Sequence, residues 1–141
     1  MSLIHKIREI PWFNIPDLDQ EHQEIAILIE KMAQKVLNPE KGKIVSQCSI
    51  DDIENIIIVV ERHFKNEELF MINIGYPDFD RHKEEHLTVF NKAKEMMMRQ
   101  HQREGGISIG TIVLLNNLMQ THLEEEDQKF VDHFYRKERT E

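Results

Sequence analysis

Four short patterns in the chain carry residue types that could do chemistry. His63 and Glu67 stand four residues apart, and so do His82 and His86. On an α-helix such a pair shares one face, with Cβ atoms about 5–6 Å apart, so each pair can grip one side of the same object. His22 alone, and His122 with Asp127, complete the set. Imidazole nitrogens and carboxylate oxygens at these spacings are metal ligands. A single imidazole on an apolar stripe is ordinarily a hydrogen-bonded core residue. Here seven polar groups fall on otherwise apolar stripes, where an unpaired one costs roughly 1–3 kcal/mol. Shared coordination to metal is the economical account.

Ligands need elements to hold them. Asp17 to Gln20 offer a capping box, with Asp17 as N-cap and Gln20 three residues on. His22, Ile25, Ile29, Met32 and Val36 then recur at helical steps and predict a first helix over about 19–37, broken by Asn38 to Gly42. A second helix is predicted from Ser49 or Ile50 to Ile74, a third over 79–101 and a fourth over 108–135. The apolar run 56–60 could be a strand by itself, but its length and flanks favour helix. Between the second and third, Gly75-Tyr76-Pro77-Asp78 reads as a stop and a start, with Asp78 capping the new helix. Arg103 to Gly106 reads as a loop.

These four amphipathic segments predict an all-α fold: an up-down-up-down antiparallel four-helix bundle over 19–135. An irregular arm, 1–18, would precede it, with Pro11 and Pro16 bracketing Trp12, Phe13 and Ile15, laid over one end as a lid. A charged tail, 136–141, would follow. His122 and Asp127 lie five apart, which turns them some 140° from each other on a regular helix. Two ligands to one centre should not diverge so far, so a local i→i+5 widening is predicted within Leu123–Asp127.

Bulk properties narrow the classes. The 141 residues suffice for one domain, and a net charge of −8 with no basic cluster argues against a nucleic-acid partner. The opening MSLIHKIREIPWF lacks the apolar run of a signal peptide, and no segment is long and apolar enough for a membrane span. A cytoplasmic location is expected. Cys48 is the only cysteine and lies off the stripes, so thiolate-held metal is not expected.

Seven N/O ligands exceed a closed tetrahedral zinc site and suit two six-coordinate ions. The carboxylates of Glu67 and Asp127 each have two oxygens with which to bridge two cations. A ferritin-like centre needs Glu-x-x-His twice, whereas the chain has only Asp19-x-x-His22. The sequence resembles the bacterial hemerythrins, non-haem di-iron proteins that bind O2. The resemblance rests on Trp12, Asp19-x-x-His22, His63-Phe64-x-x-Glu67-Glu68-x-x-Met71, Tyr76-Pro77, His82-x-x-x-His86-x-x-Phe90 and His122-x-x-x-x-Asp127, over about residues 12–130.

The resemblance implies two iron ions joined by a bridging oxo or hydroxo group. His82, His86 and His122 would hold one iron, His22 and His63 the other, with Glu67 and Asp127 bridging. The iron with two histidines would keep an open position for O2, behind an apolar wall for which Ile25, Phe64, Leu118, Met119 and Leu123 are candidates. The same side chains suit plain core. Phe130 stands where relatives commonly carry Tyr, so any hydrogen bond from that hydroxyl is missing. Reversible O2 carriage, storage or delivery is the function implied, and no residue is assigned a catalytic role. Sensing, with an output module beyond the last helix, and reduction of O2, peroxide or nitric oxide use the same centre and remain open. A homodimer is also open. His5, His101 and His133 read as surface residues, and Glu84-Glu85 and Glu124-Glu125-Glu126 as solvated helix faces.

Overall fold

The structure, a computed structural model, describes residues 13–37 and 50–140. The stripes with helical steps are helical, and they form four rods. These are α1 (Pro16–Leu37), α2 (Ile50–Asn73), α3 (Phe79–Glu104), and a fourth made of α4 (Ile109–Thr121), a π-helical segment (His122–Asp127) and α5 (Gln128–Thr140). No strand occurs among the described residues. α1 packs on α2 and α4, α2 on α3 and α3 on α4, which closes the ring of a four-helix bundle.

Two apolar clusters fill the bundle. The larger contains Ile25, Ile29, Ile53, Ile56, Ile112 and Leu115, and the smaller contains Phe13, Leu18, Met71, Leu123 and Phe130. Each isoleucine so buried stabilises the fold by about 1.5–3 kcal/mol, so the larger cluster is the main source of cohesion. The seven polar residues lie between the clusters. α1 runs from Leu18 past His22 to Ile25, whereas α2 runs from Val60 past His63 and Glu67 to Met71. α3 then runs from Phe79 past His82 to Val89, and the fourth rod from Met119 past His122 to Phe130. Successive helices cross the two clusters in opposite order, the alternation that an antiparallel bundle has.

The helix ends show how the chain turns. Gly75 has φ 67°, its N–H donates to the Ile72 carbonyl at 3.1 Å, and the Tyr76 N–H reaches back to Met71 at 2.9 Å. That pattern closes α2, with buried Tyr76 and Met71 in contact beneath it. Lys137 Nζ donates to the Ile74 carbonyl at 2.8 Å, so α5 covers this corner. Asp78 stands at the start of α3 but makes no side-chain capping bond, because its φ of −94° and ψ of 26° are not the extended conformation a cap requires. α3 continues to Glu104, so Arg103 and Glu104 form its last turn and the loop begins at Gly105, with φ 76°. Ser108 caps α4 by accepting from the Thr111 N–H at 3.2 Å.

The arm differs from its prediction. α1 begins at Pro16, where a fixed φ and a missing N–H cost nothing, so Asp17 falls inside the helix rather than capping it. The carboxylate that reaches back is that of Asp19, which accepts from the N–H groups of Phe13 at 2.9 Å and Ile15 at 3.1 Å. Tyr135 donates to the Phe13 carbonyl at 2.6 Å, so the fourth rod fastens the arm as well. Asp19→Ala is expected to destabilise the protein by about 1–3 kcal/mol, read as a lower urea midpoint at constant slope, because two buried donors lose their partner. An unchanged midpoint would show that the arm contributes nothing to folding.

No break marks position 135, since α5 runs to Thr140 and the expected tail continues the helix. No described helix is long and apolar enough to cross a membrane. The arm's first twelve residues with His5 and Trp12, the Asn38–Gly42 break, Cys48 and Glu141 lie outside the described residues.

Candidate metal centre

His22 comes from α1, His63 and Glu67 from α2, His82 and His86 from α3, and His122 and Asp127 from the ends of the π segment. None is more than 2% exposed. The widened turn puts His122, Leu123 and Asp127 inside and leaves Glu124 and Glu125 outside, so two ligands five residues apart share one face.

The ligand atoms form two overlapping sets. Glu67, His82, His86, His122 and Asp127 make one, and His22, His63, Glu67 and Asp127 the other, with the atoms of each set within 4.8 Å of one another. Each carboxylate is divided between the sets. Oε1 of Glu67 lies 3.1 Å from His86 Nε2 and 3.8 Å from His122 Nε2, whereas Oε2 lies 3.1 Å from His22 Nε2 and 3.0 Å from His63 Nε2. Oδ1 of Asp127 lies 3.0 Å from His82 Nε2 and 2.9 Å from His122 Nε2, and Oδ2 lies 3.6 Å from His22 Nε2.

Hydrogen bonding accounts for only some of these contacts, those of His22 Nε2 and His86 Nε2 with Glu67 and of His82 Nε2 with Asp127. His63 Nε2, His122 Nε2 and Asp127 Oδ2 are buried and make no hydrogen bond of proper geometry, despite their close neighbours. Two ligand atoms at right angles on a cation with bonds of about 2.1 Å are about 3.0 Å apart, the spacing found here. A cation between them accounts for the approach without directed N–H···O contacts.

Charge leads to the same reading. Burial opposes charge on Glu67, yet His63 and the other facing imidazoles hold its carboxyl well below the usual range. Burial and Glu67 both push Asp127 up, but His122 and His22 hold it down at about 2. Burial opposes a proton on His63, while Glu67 and Glu21 push it up to about 10. His122 is likewise raised, against burial, by Asp127 and Glu67. Two buried carboxylates thus require positive charge, from protons on imidazoles or from metal ions that displace them.

All seven predicted ligands are brought together. The five candidates for an apolar wall are shared between the two apolar clusters that flank these residues. Ile25, Phe64 and Met119 belong to the larger cluster and Leu118 is only partly buried against it, but Leu123 belongs to the smaller. Leu123 follows His122 in the widened turn and is buried in the same cluster as Phe13 and Ile15 of the arm. Phe64 stacks on the His86 ring with centroids 4.1 Å apart and planes within 5°. Phe130 is fully buried, with its ring centroid 5.4 Å from that of His82.

Three glutamates beside the ligands were not foreseen as participants. Glu21 and Glu68 each lie 2.8 Å from an imidazole Nδ1, of His63 and His86 respectively, and Glu85 lies 3.7 Å from His122 Nδ1. Glu85 is therefore no plain solvated face. Nor is Glu126, which pairs with Arg81 at 3.0 Å and is only 15% exposed. A glutamate next in sequence to a ligand sits at the edge of the stripe, within reach of a ring on the neighbouring helix. That adjacency was the available signal. His101 and His133 are half-buried rather than exposed, His133 against Tyr76.

Comparisons with known proteins point to a cation-binding family. A family model described as the hemerythrin HHE cation binding domain matches residues 14–134. A bacteriohemerythrin of Campylobacter jejuni (strain 81-176) is 24% identical over 123 residues, 85% of this chain and 87% of that protein. One from Methylococcus capsulatus (strain Bath) is 24% identical over 117 residues, 83% of this chain and 86% of its own length. No solved structure matches the chain significantly.

Proposed function

This chain belongs to the hemerythrin HHE cation-binding family, and from that premise we propose that it binds O2 reversibly at two iron ions, as a carrier, store or delivery protein. His82, His86 and His122 would hold one ion, and His22 and His63 the other, with Glu67 and Asp127 shared. When bound, the iron pair supplies the two electrons that O2 takes up and gives back. The observation that carries this reading is the division of each carboxylate, one oxygen facing each set of imidazoles. A single-ion site would have no use for that division.

The remaining side chains keep the centre dry and fixed. Phe64 covers one face of His86, Ile25 and Met119 close the side toward the larger cluster, and Phe13 lies edge-on to His22 with ring centroids 5.5 Å apart. Excluding water and holding the rings still would slow irreversible oxidation of the ferrous state. Five neutral imidazoles against two carboxylates also make a less electron-rich centre than a carboxylate-dominated one, which favours giving O2 back.

Protein prepared with ample iron is expected to contain about two irons per chain, to show oxo-bridged ferric charge-transfer absorption, and to lose bound O2 under argon. One ion per chain, or zinc at full occupancy after iron reconstitution, would overturn the di-iron reading. Irreversible oxidation by the first O2 bound would overturn the carrier reading alone.

A further inference from the structure

Outside the seven ligands, two carboxylates end on the far nitrogens of ligand rings. Glu21 Oε1 lies 2.8 Å from His63 Nδ1, and Glu68 Oε2 lies 2.8 Å from His86 Nδ1. A carboxylate only accepts, so each ring must carry its proton on Nδ1. Glu21 is itself held from its other oxygen by the Asn66 amide. The remaining ligand rings are not tethered in this way. Nδ1 of His22, His82 and His122 makes no hydrogen bond, and Glu85 stands too far from His122 at 3.7 Å. One ring in each ligand set is therefore fastened, His63 in the two-imidazole set and His86 in the three-imidazole set.

We propose that Glu21 and Glu68 are positioning residues, one for each half of the centre. Each fixes the tautomer and the rotation of one ligand ring, so that its Nε2 lone pair faces the ion, and each places a negative charge behind that ring to raise its strength as a donor. The assignment rests on the metal-holding role proposed above for the seven residues.

Their setting suits the role. Glu21 lines a groove of about 510 Å³ between α1 and α2, and Glu68 one of about 230 Å³ between α2 and α3. Both side chains are about one-fifth exposed, 20% and 18%, whereas the rings they hold are at most 2% exposed. The glutamates can keep their charge hydrated at the surface while acting on buried rings. A residue serving only the surface would have no reason to aim at a buried Nδ1.

The two halves allow a test that separates the two residues. The full chain, freed of iron, is titrated with Co2+ against a competing chelator, which resolves two binding steps. Glu21→Ala is expected to weaken one step by about 10–100-fold and Glu68→Ala the other, with the double variant weakened in both. Glu21→Gln and Glu68→Gln keep an acceptor oxygen of similar size without the charge. They should fold normally, show smaller losses, and raise the reduction potential of the iron-loaded centre. Glu84→Gln, on an exposed position of α3, should change neither readout. Variants that bind two Co2+ as the wild type does, at an unchanged potential, would overturn the proposal alone. So would equal weakening of both steps by either substitution, which would indicate general loosening. A wild-type chain that takes up no Co2+ would overturn the metal reading and this assignment with it.

Discussion

Bound iron is expected to fall from about two ions per chain to below about one in His82→Ala and in His63→Ala, and to stay at the wild-type level in His101→Ala. The two substituted ligands belong to different sets, His82 to that of three imidazoles and His63 to that of two. Each faces a shared carboxylate, at 3.0 Å from Asp127 for His82 and 3.0 Å from Glu67 for His63. Alanine leaves a vacancy that only water could fill, in a layer closed on both sides by apolar clusters. On the proposed two-ion reading, loss of one ion would also withdraw its charge from the shared carboxylates of Glu67 and Asp127 and so weaken the second. His101 sits in the last turn of α3, where its contribution to the turn is a backbone carbonyl that alanine retains. Metal analysis of the three variants beside circular dichroism checks both parts. Equal iron loss in all three would mean that the ligand set has been drawn too narrowly.

The second large effect concerns the π segment. Its six residues replace i→i+4 bonding with a wider turn, which is less favourable for the backbone, at a cost of about 1–3 kcal/mol. The widening brings Asp127 round to the face of His122, so metal held by both residues would offset the cost. Removing iron withdraws that compensation and leaves a buried Asp127 with fewer partners. Amide exchange in residues 122–130 is therefore expected to quicken by about tenfold or more in the iron-free protein, while the Ile53–Val60 stretch of α2 changes little. Protection around 122–130 that does not respond to iron would show that packing alone holds the wide turn. The contact of Arg81 with Glu126, at 3.0 Å across to α3, is the alternative anchor that such a result would favour.

The convergence of the seven buried His, Glu and Asp residues and the helices that carry them could be read from the chain because both depend on local geometry. The apolar steps from Ile25 to Val36 and from Ile53 to Ile74 fix helical faces, and the i, i+4 pairs lie on those faces whatever packs against them. Even the irregular turn was legible, since a five-residue spacing between His122 and Asp127 conflicts with 3.6 residues per turn. Gly75 announced its turn for a similar reason, as the conformation it adopts, with φ 67°, is one that other residues avoid.

What only the tertiary structure decided was which neighbour each polar group would meet. Asp17 was the cap that the local pattern pointed to, but the carboxylate that reaches back is that of Asp19, because Pro16 opens the helix and the arm folds back under Tyr135. Glu21, Glu68, Glu85 and Glu126 each adjoin one of the seven residues in sequence, which places them at a stripe's edge but does not say which ring or charge they meet. Their roles follow from the rotation and spacing of adjacent helices, which are set by summed packing across the core. That Leu123 joins the smaller cluster while Ile25, Phe64 and Met119 join the larger is likewise a matter of packing between helices. Which polar side chains turn inward is therefore written in spacing along one helix, whereas their outer partners arise between helices, where no periodicity in a single segment can specify them.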